Sequence, residues 1–349
     1  MESDPDGLRR QRHIIYPFPS PAGWSSVCAF APYGMDGGRT ERSEMASRIA
    51  VWANRPEQKD LWRAHPVCGD VHILFVPECE TASYLLSQSG EEHMYPAALY
   101  GAYEGFYSQG IQADFVHIDD IEKARILYFP FPLALSKEHI KRLAEWVKEG
   151  GTLIAESCPG FFTDYMHANT VQPPPELEAL FGVRQRNAEF MPDLAANVRF
   201  HLLGAEVRGG GFIQTYEPKG AGELARYGDA VISAQNRFGN GTAVIVGAAV
   251  SLGGENNHTF YGRLLEYLSV SLPIRVSDHA IQARLHLDGT RRVLWIVNPC
   301  RDERTVRISL RDGGQPGHLY WAGGQILLAD ENAIEATVRG RDALVLEVR

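Results

Sequence analysis

The chain has no excess of positive charge and no long apolar run. Its 349 residues carry 34 Lys and Arg against 43 Asp and Glu, a formal net charge of −9 at pH 7. Nucleic acids and anionic membrane surfaces attract basic faces, so this balance argues against both partners. No apolar run approaches the roughly 20 residues that a membrane-spanning helix needs. The acidic, polar residues 1–6 are unlike a signal peptide.

Cysteine is scarce, and nucleotide-binding glycine motifs are missing. The five cysteines have unrelated spacings and form neither a C-x-x-C pair nor a Cys/His cluster, which argues against a zinc site. Residues 209–211 are glycines, but no G-x-x-x-x-G-K-[ST] or G-x-G-x-x-G motif occurs, so a nucleotide site is not expected. We therefore predict a cytoplasmic protein with reduced thiols and without a metal or cofactor.

The middle of the chain alternates strands with helices. Apolar, strand-like runs and helical patterns follow one another in this order: strand 71–76, helix 94–108, strands 113–117 and 126–131, helix 136–149, strand 152–155. Such alternation is typical of parallel strands joined by right-handed crossovers. We predict an α/β fold with a doubly wound, flavodoxin-like parallel sheet, the type of fold that class I glutamine amidotransferases also have.

The remaining segments predict antiparallel structure. An Asn-Gly signal at Asn240 lies between apolar runs at 230–238 and 242–246 and indicates a hairpin. Residues 200–203 and 212–216 are expected to pair as strands, and residues 257–272 to form a closing helix. Short alternating strands after residue 274 predict a small C-terminal β-sandwich. The expected domains are residues 1–63, 64–273 and 274–349.

Four segments together resemble a known family. Residues 71–80, 110–120, 144–162 and 237–247 are similar to the middle domain of family 42 glycoside hydrolases. These β-galactosidases consist of a TIM barrel, a flavodoxin-like trimerisation domain and a small C-terminal β domain. Residues 35–44 resemble the stretch between the barrel's last strand and last helix, so the resemblance makes 1–63 the remnant of a barrel end.

The resemblance implies a scaffold rather than a complete enzyme. The family's two catalytic glutamates lie on barrel strands that would precede residue 1, so no catalytic residue is carried over to this chain. The expected function is that of the trimerisation portion of a β-galactosidase, which assembles as a homotrimer. Hydrolysis of β-D-galactosides would need a TIM-barrel catalytic chain. Carbohydrate is the expected ligand, if there is one. Tyr33 and Asp36, at the barrel rim, are weak candidates for sugar binding.

A cysteine turn offers a second interpretation. Residues 156–160 resemble the Gly-x-Cys-x-Gly elbow of class I glutamine amidotransferases, with Cys158 in the nucleophile position. Glu156 replaces the first glycine, and Pro159 removes a backbone N–H that an oxyanion hole would use. These departures favour a degenerate elbow.

A working site would also need a base. His258 is the candidate, oriented by Asn257 or Glu255. With Cys158 and Glu156 it would define a stand-alone amidotransferase-like or hydrolase enzyme, which is the alternative to the scaffold.

Aromatic residues suggest a third interpretation. Trp295 and Trp321 in the β-sandwich could stack on sugars, which would make the chain a non-catalytic carbohydrate-binding module. Buried packing is the preferred interpretation for both. Tyr100, Tyr103 and Tyr107 share a helix at spacings i, i+3 and i+7, and we expect them in the core or in a subunit interface.

Overall fold

A computed structural model of the protein describes residues 38–86, 93–110, 112–190, 198–278 and 280–349. The chain divides into two compact units, Met1–Arg63 and Ala64–Arg349. In the first unit, helix α1 begins after Thr40, whose side chain and that of Ser43 cap each other's backbone N–H. The apolar run at residues 26–31, for which the sequence favours a strand, lies outside the described residues.

The helices and strands of the described residues are as follows. The helices are α1 (Glu41–Ala53), α2 (Pro77–Leu86), α3 (Met94–Ser108), α4 (Lys137–Glu149), α5 (Pro175–Phe181) and α6 (His258–Tyr267). The first ten strands are β1 (His65–Pro66), β2 (Cys68–Phe75), β3 (Gln112–His117), β4 (Ile126–Phe129), β5 (Thr152–Ala155), β6 (Val183–Phe190), β7 (Val198–Leu202), β8 (Ala205–Pro218), β9 (Gly222–Tyr227) and β10 (Ala230–Phe238). The other ten are β11 (Gly241–Val246), β12 (Ala248–Ala249), β13 (Ile274–Val276), β14 (Gln282–Asp288), β15 (Arg291–Asn298), β16 (Arg304–Leu310), β17 (Pro316–Ala322), β18 (Gly324–Ala329), β19 (Ala333–Val338) and β20 (Asp342–Val348).

An eleven-stranded sheet forms the centre of the second unit. Its parallel part has the spatial order β3-β2-β4-β5-β11, and every neighbouring pair in that run is parallel. Helices α4 and α5 pack on one face of this part, and α6 packs on the other. The α/β class and the parallel strands predicted from the sequence are confirmed. Helix α2, which follows β2 directly, was not predicted.

Strands β6 to β10 and β12 extend the same sheet in antiparallel fashion. The predicted hairpin of β10 with β11 is confirmed, with Phe238 paired to Gly241. The predicted pairing of residues 200–203 with 212–216 is wrong. β7 pairs with the first residues of β8, and 212–216 pair with β6. The reason is local: Leu203 and Gly204 both have positive φ and form a two-residue hairpin turn.

The C-terminal strands form two antiparallel sheets around their own apolar core. One sheet has the order β1-β14-β15-β20-β17 and the other β13-β16-β19-β18. Alternating residues of both sheets, such as Leu294, Ile308 and Leu346, are fully buried between them. The antiparallel β-domain predicted for this end is therefore present. β1 precedes the parallel sheet in sequence, yet it pairs with β14.

Candidate functional site

The turn after β5 is a buried elbow at the carboxyl ends of the parallel strands. Cys158 has a φ of +61°, a left-handed conformation that is uncommon outside glycine. The side chains of Glu156 and Cys158 are both fully buried. The backbone N–H of Cys158 donates to Gln214 Oε1 at 2.8 Å, and Tyr216 Oη donates to the same oxygen at 2.6 Å. Gln214 and Tyr216 of strand β8 therefore hold the backbone of the elbow in place.

Glu156 accepts hydrogen bonds from four donors on three residues. Its Oε1 accepts from Tyr128 Oη and from the backbone N–H of Ser251, both at 2.7 Å. Its Oε2 accepts from Ser251 Oγ at 2.8 Å and from the backbone N–H of Phe131 at 3.3 Å. Both carboxylate oxygens are thus satisfied by the protein itself. Glu156 links the ends of β4 and β5 to the segment after β12.

Burial dominates the electrostatics of this network. It raises the pKa of Glu156 from its ordinary 4.5 to about 7, although the hydrogen bonds from Tyr128 and Ser251 pull the value down. The pKa values of Tyr128 and Tyr261 are also raised, first by burial and then by the charge of Glu156. These phenols therefore stay protonated, and the fully buried carboxyl of Glu156 is suited to holding the fold together.

Burial dominates the electrostatics of the Cys158 thiol as well. Burial alone raises its pKa well above the ordinary value, with no contribution from a nearby cation or hydrogen-bond donor. A cysteine nucleophile needs the opposite, a thiolate stabilised by a positive or donating neighbour. The elbow geometry is present, but the chemistry of a nucleophile is not supported.

Of the two residues proposed to orient His258, Asn257 is engaged elsewhere. Asn257 is fully buried, and its side chain binds the backbone of Arg208 and the carbonyl of Val250. It therefore does not orient His258, whose own carbonyl accepts from Gln109 Nε2. The Nε2 atom of His258 is buried and has no hydrogen-bond partner among the described residues. The Glu255 side chain lies outside what the structure describes.

The other residues for which the sequence predicts a functional role lie away from the elbow or outside the described residues. Tyr33 and Asp36 are outside the described residues. Trp321 is half-buried in the β-sandwich and donates from Nε1 to Asp342 at 2.8 Å. Trp295, also half-buried, lies against His286 with ring centroids 5.6 Å apart.

The tyrosine stripe on α3 has mixed roles. Tyr103 stacks on Tyr107 and on Phe115, with ring centroids 5.7 and 5.9 Å apart. The Arg284 guanidinium lies 3.4 Å from the centre of the Tyr107 ring and donates to its backbone carbonyl. Tyr103 and Tyr107 thus join the sheet edge to the β-sandwich. Tyr100, in contrast, is exposed.

Tyr128, Gln214 and Ser251 were missed by the sequence reasoning. Their signal is weak but visible: each is a polar residue inside or beside an apolar strand, as in residues 126–129 and 212–216. A buried polar side chain needs a partner. Tyr128 and Ser251 bind Glu156, and Gln214 binds the backbone N–H of Cys158.

Two kinds of site find no support in the part of the chain that the structure describes. No group of three or more His, Cys, Asp or Glu side chains there could hold a metal ion. None of the described helices is both long and apolar enough to cross a membrane.

Comparison with known proteins places the chain in a family. Residues 70–271 match the family model of the β-galactosidase trimerisation domain, which covers more than half of the chain. The protein therefore belongs to the β-galactosidase trimerisation domain family. A curated relative, β-galactosidase GalA of Bacillus licheniformis, is 23% identical over 210 residues, which are 58% of this chain and 31% of the relative.

Solved structures agree at the level of the fold. The structure of Gan42B, a GH42 β-galactosidase from G. stearothermophilus, superposes with a TM-score of 0.72 at 18% identity and covers 91% of this chain and 46% of its own. The β-galactosidase from Bacillus circulans sp. alkalophilus gives 0.71 at 18% identity, over 91% and 47%. An α-L-fucosidase from Paenibacillus thiaminolyticus gives 0.58 at 15% identity, over 90% and 53%. The chain thus spans about half the length of these structures and under a third of the curated relative.

Proposed function

We propose that this protein is the assembly scaffold of a family 42-like β-galactosidase and that it associates as a homotrimer. Hydrolysis of β-D-galactosides would then take place on a TIM-barrel catalytic part, and the described residues would position that part rather than act on substrate. The observation that carries the proposal is the family match over residues 70–271. The inert elbow supports it, because Cys158 keeps the turn without an activated thiol.

The finer fold assignment belongs to the same proposal. If the five parallel strands are numbered along the chain from β2, their order across the sheet is 2-1-3-4-5. Flavodoxin-like sheets have this order, and the elbow after the fourth strand matches the amidotransferase position. We propose a flavodoxin-like, amidotransferase-like domain at 64–273, between a barrel remnant at 1–63 and the β-sandwich at 274–349.

A cytoplasmic location is also proposed. Its support is that Cys79, Cys158 and Cys300 are free thiols, as is usual in reducing compartments.

The test is the native mass of the full chain, measured by light scattering over a wide range of concentrations. A stable mass of three times 38.8 kDa is the expected result. A monomer at every concentration would refute self-association as the role of this chain. Oligosaccharides that raise the melting temperature of the isolated chain would favour the carbohydrate-binding module instead.

A further inference from the structure

The negative charge of the chain is concentrated in one stretch. Residues 64–122 contain no Lys or Arg and carry ten acidic side chains, so this stretch has a formal charge of −10. The chain as a whole has −9, which leaves +1 for all other residues together. Helices α2 and α3 lie inside this stretch. Asp70, Asp120 and Glu122 are paired with cations that follow the stretch. Glu80, exposed on α2, has no ion-pair partner among the described residues.

The same helices expose large apolar side chains. Tyr84 is 68% exposed, Leu85 61% and Tyr100 66%. Tyr84 lies one turn after the exposed Glu80 on α2, and its ring stacks on His93, the residue before α3. We call Glu80, Tyr84, Leu85 and Tyr100 the acidic face.

Helix α4 shows that such exposure is not general. Its outer surface is charged, with Lys141 and Glu145 paired one turn apart, and none of its large apolar residues is exposed. Large aromatic side chains left in water on one pair of helices, and not on the next, mark a surface that binds another protein.

An open groove of about 670 Å³ lies between β7 and β9. Arg199 and His201 are two residues apart on β7, and both are exposed on the same face of the strand. Neither has an ion-pair or hydrogen-bond partner among the described residues. Arg226 also lines the groove, but Glu223 neutralises it through a bidentate pair. The exposed Tyr227 adds an aromatic side chain. We call Arg199, His201 and Tyr227 the cationic groove.

We propose that the acidic face of one copy of this chain docks into the cationic groove of the next copy. The inference rests on the proposed homotrimer and names its contact. Both surfaces lie within the matched residues 70–271. Glu80 of the face and Arg199 of the groove have opposite charge, and each surface carries exposed aromatic side chains, so the two can complement one another. An acidic face packed on its own copy would bring Glu80 against Glu80. The contact is therefore heterologous, and three such contacts close a ring.

The experiment compares three full-length variants with the wild type by light scattering and sedimentation. Tyr84→Glu with Leu85→Glu alters the face, and Arg199→Glu with His201→Glu alters the groove. Leu328→Glu is the matched control, because Leu328 is 56% exposed on the β-sandwich, outside the matched residues. We expect each double variant to weaken association by about tenfold or more, while the control stays trimeric. All four proteins should give the same circular dichroism spectrum.

Mixing the two double variants tests the geometry. The face variant keeps an intact groove and the groove variant keeps an intact face, so together they should form a dimer that neither forms alone. An unchanged trimer for either double variant, or no dimer in the mixture, overturns this inference and leaves the scaffold function standing. A monomeric wild type overturns the scaffold function itself.

Discussion

The α/β domain uses the same residue types in two opposite ways. Glu156, with Tyr128 and Tyr261, is fully buried, and every carboxylate oxygen has donors from the protein. Glu80, with Tyr84 and other aromatic residues of its face, lies in water, and no described residue pairs with its carboxylate. The first group is complete within one chain and stabilises the fold. In the second, the carboxylate of Glu80 has no partner among the described residues, so this group contributes little to folding and is available for assembly.

The largest effect is expected at the buried acid. Glu156→Ala leaves the N–H groups of Phe131 and Ser251 and two hydroxyls without their acceptor. Since unpaired buried donors keep their full desolvation penalty, we expect a loss of about 3–5 kcal/mol in unfolding free energy, measured by urea denaturation. Glu80→Ala is the matched control and should change stability by no more than about 0.5 kcal/mol. Equal effects of the two substitutions would remove the distinction between the sites.

The pH dependence of stability comes next. Because the folded pKa of Glu156 is about 7, above the ordinary 4.5, the folded state holds a proton that the unfolded state has released. The contribution of Glu156 to the unfolding free energy is fully present below about pH 4.5 and is lost as pH rises through 7. The loss is on the order of 3 kcal/mol. It is measured as the difference in unfolding free energy between wild type and Glu156→Gln across this range. A difference that does not vary with pH would contradict it.

A smaller effect is expected where α3 touches the segment after β12. A Cβ on Gly101 would lie 2.0 Å from the backbone oxygen of Ser251, so the two backbones have to move apart. Gly101→Ala should therefore destabilise by about 1–3 kcal/mol, read from the thermal midpoint. At Gly222 the nearest atom is 3.9 Å away, and Gly222→Ala is the control. An unchanged midpoint for Gly101→Ala would show that the segment holding Ser251 is loosely placed.

The smallest effect is expected at Cys158. Alkylation of the native protein at neutral pH, followed by peptide mapping, should leave Cys158 and Cys79 unmodified, because both are buried with raised pKa values. Cys300 is partly exposed and should react first. Denatured protein should label at every cysteine. Selective reaction of native Cys158 would revive the enzyme interpretation.

Much of the parallel sheet could be predicted because its signals are local. Strands β3, β4 and β5 are short apolar runs, and α4 has a Ser136 N-cap and a C-terminal Gly150 at the ends of a clear 3.6-residue pattern. Pairing in the antiparallel extension was mispredicted because β8 is long and changes partner along its length. Its first residues pair with β7 and its later ones with β6, and nothing in a single strand's periodicity encodes that change.

The site was only half predictable for a related reason. The turn at Cys158 could be recognised from residues 156–160 alone. The donors that hold Glu156 come from Tyr128 and Ser251, which are far away in the sequence. Long-range hydrogen bonds leave no spacing to recognise, so the elbow was predicted and its network was not. The acidic face depends in turn on exposure, which only the packed structure gives.

The pairing of β5 with β11 has a consequence for synthesis on the ribosome. The two strands are parallel neighbours from Thr152↔Thr242 onward, yet residues 156–240 lie between them in sequence. At ordinary elongation rates, β5 would wait on the order of 10 s for β11 to emerge. During that interval an apolar strand edge is open to wrong partners. A nascent chain therefore carries this unpaired edge of β5 throughout that interval of translation.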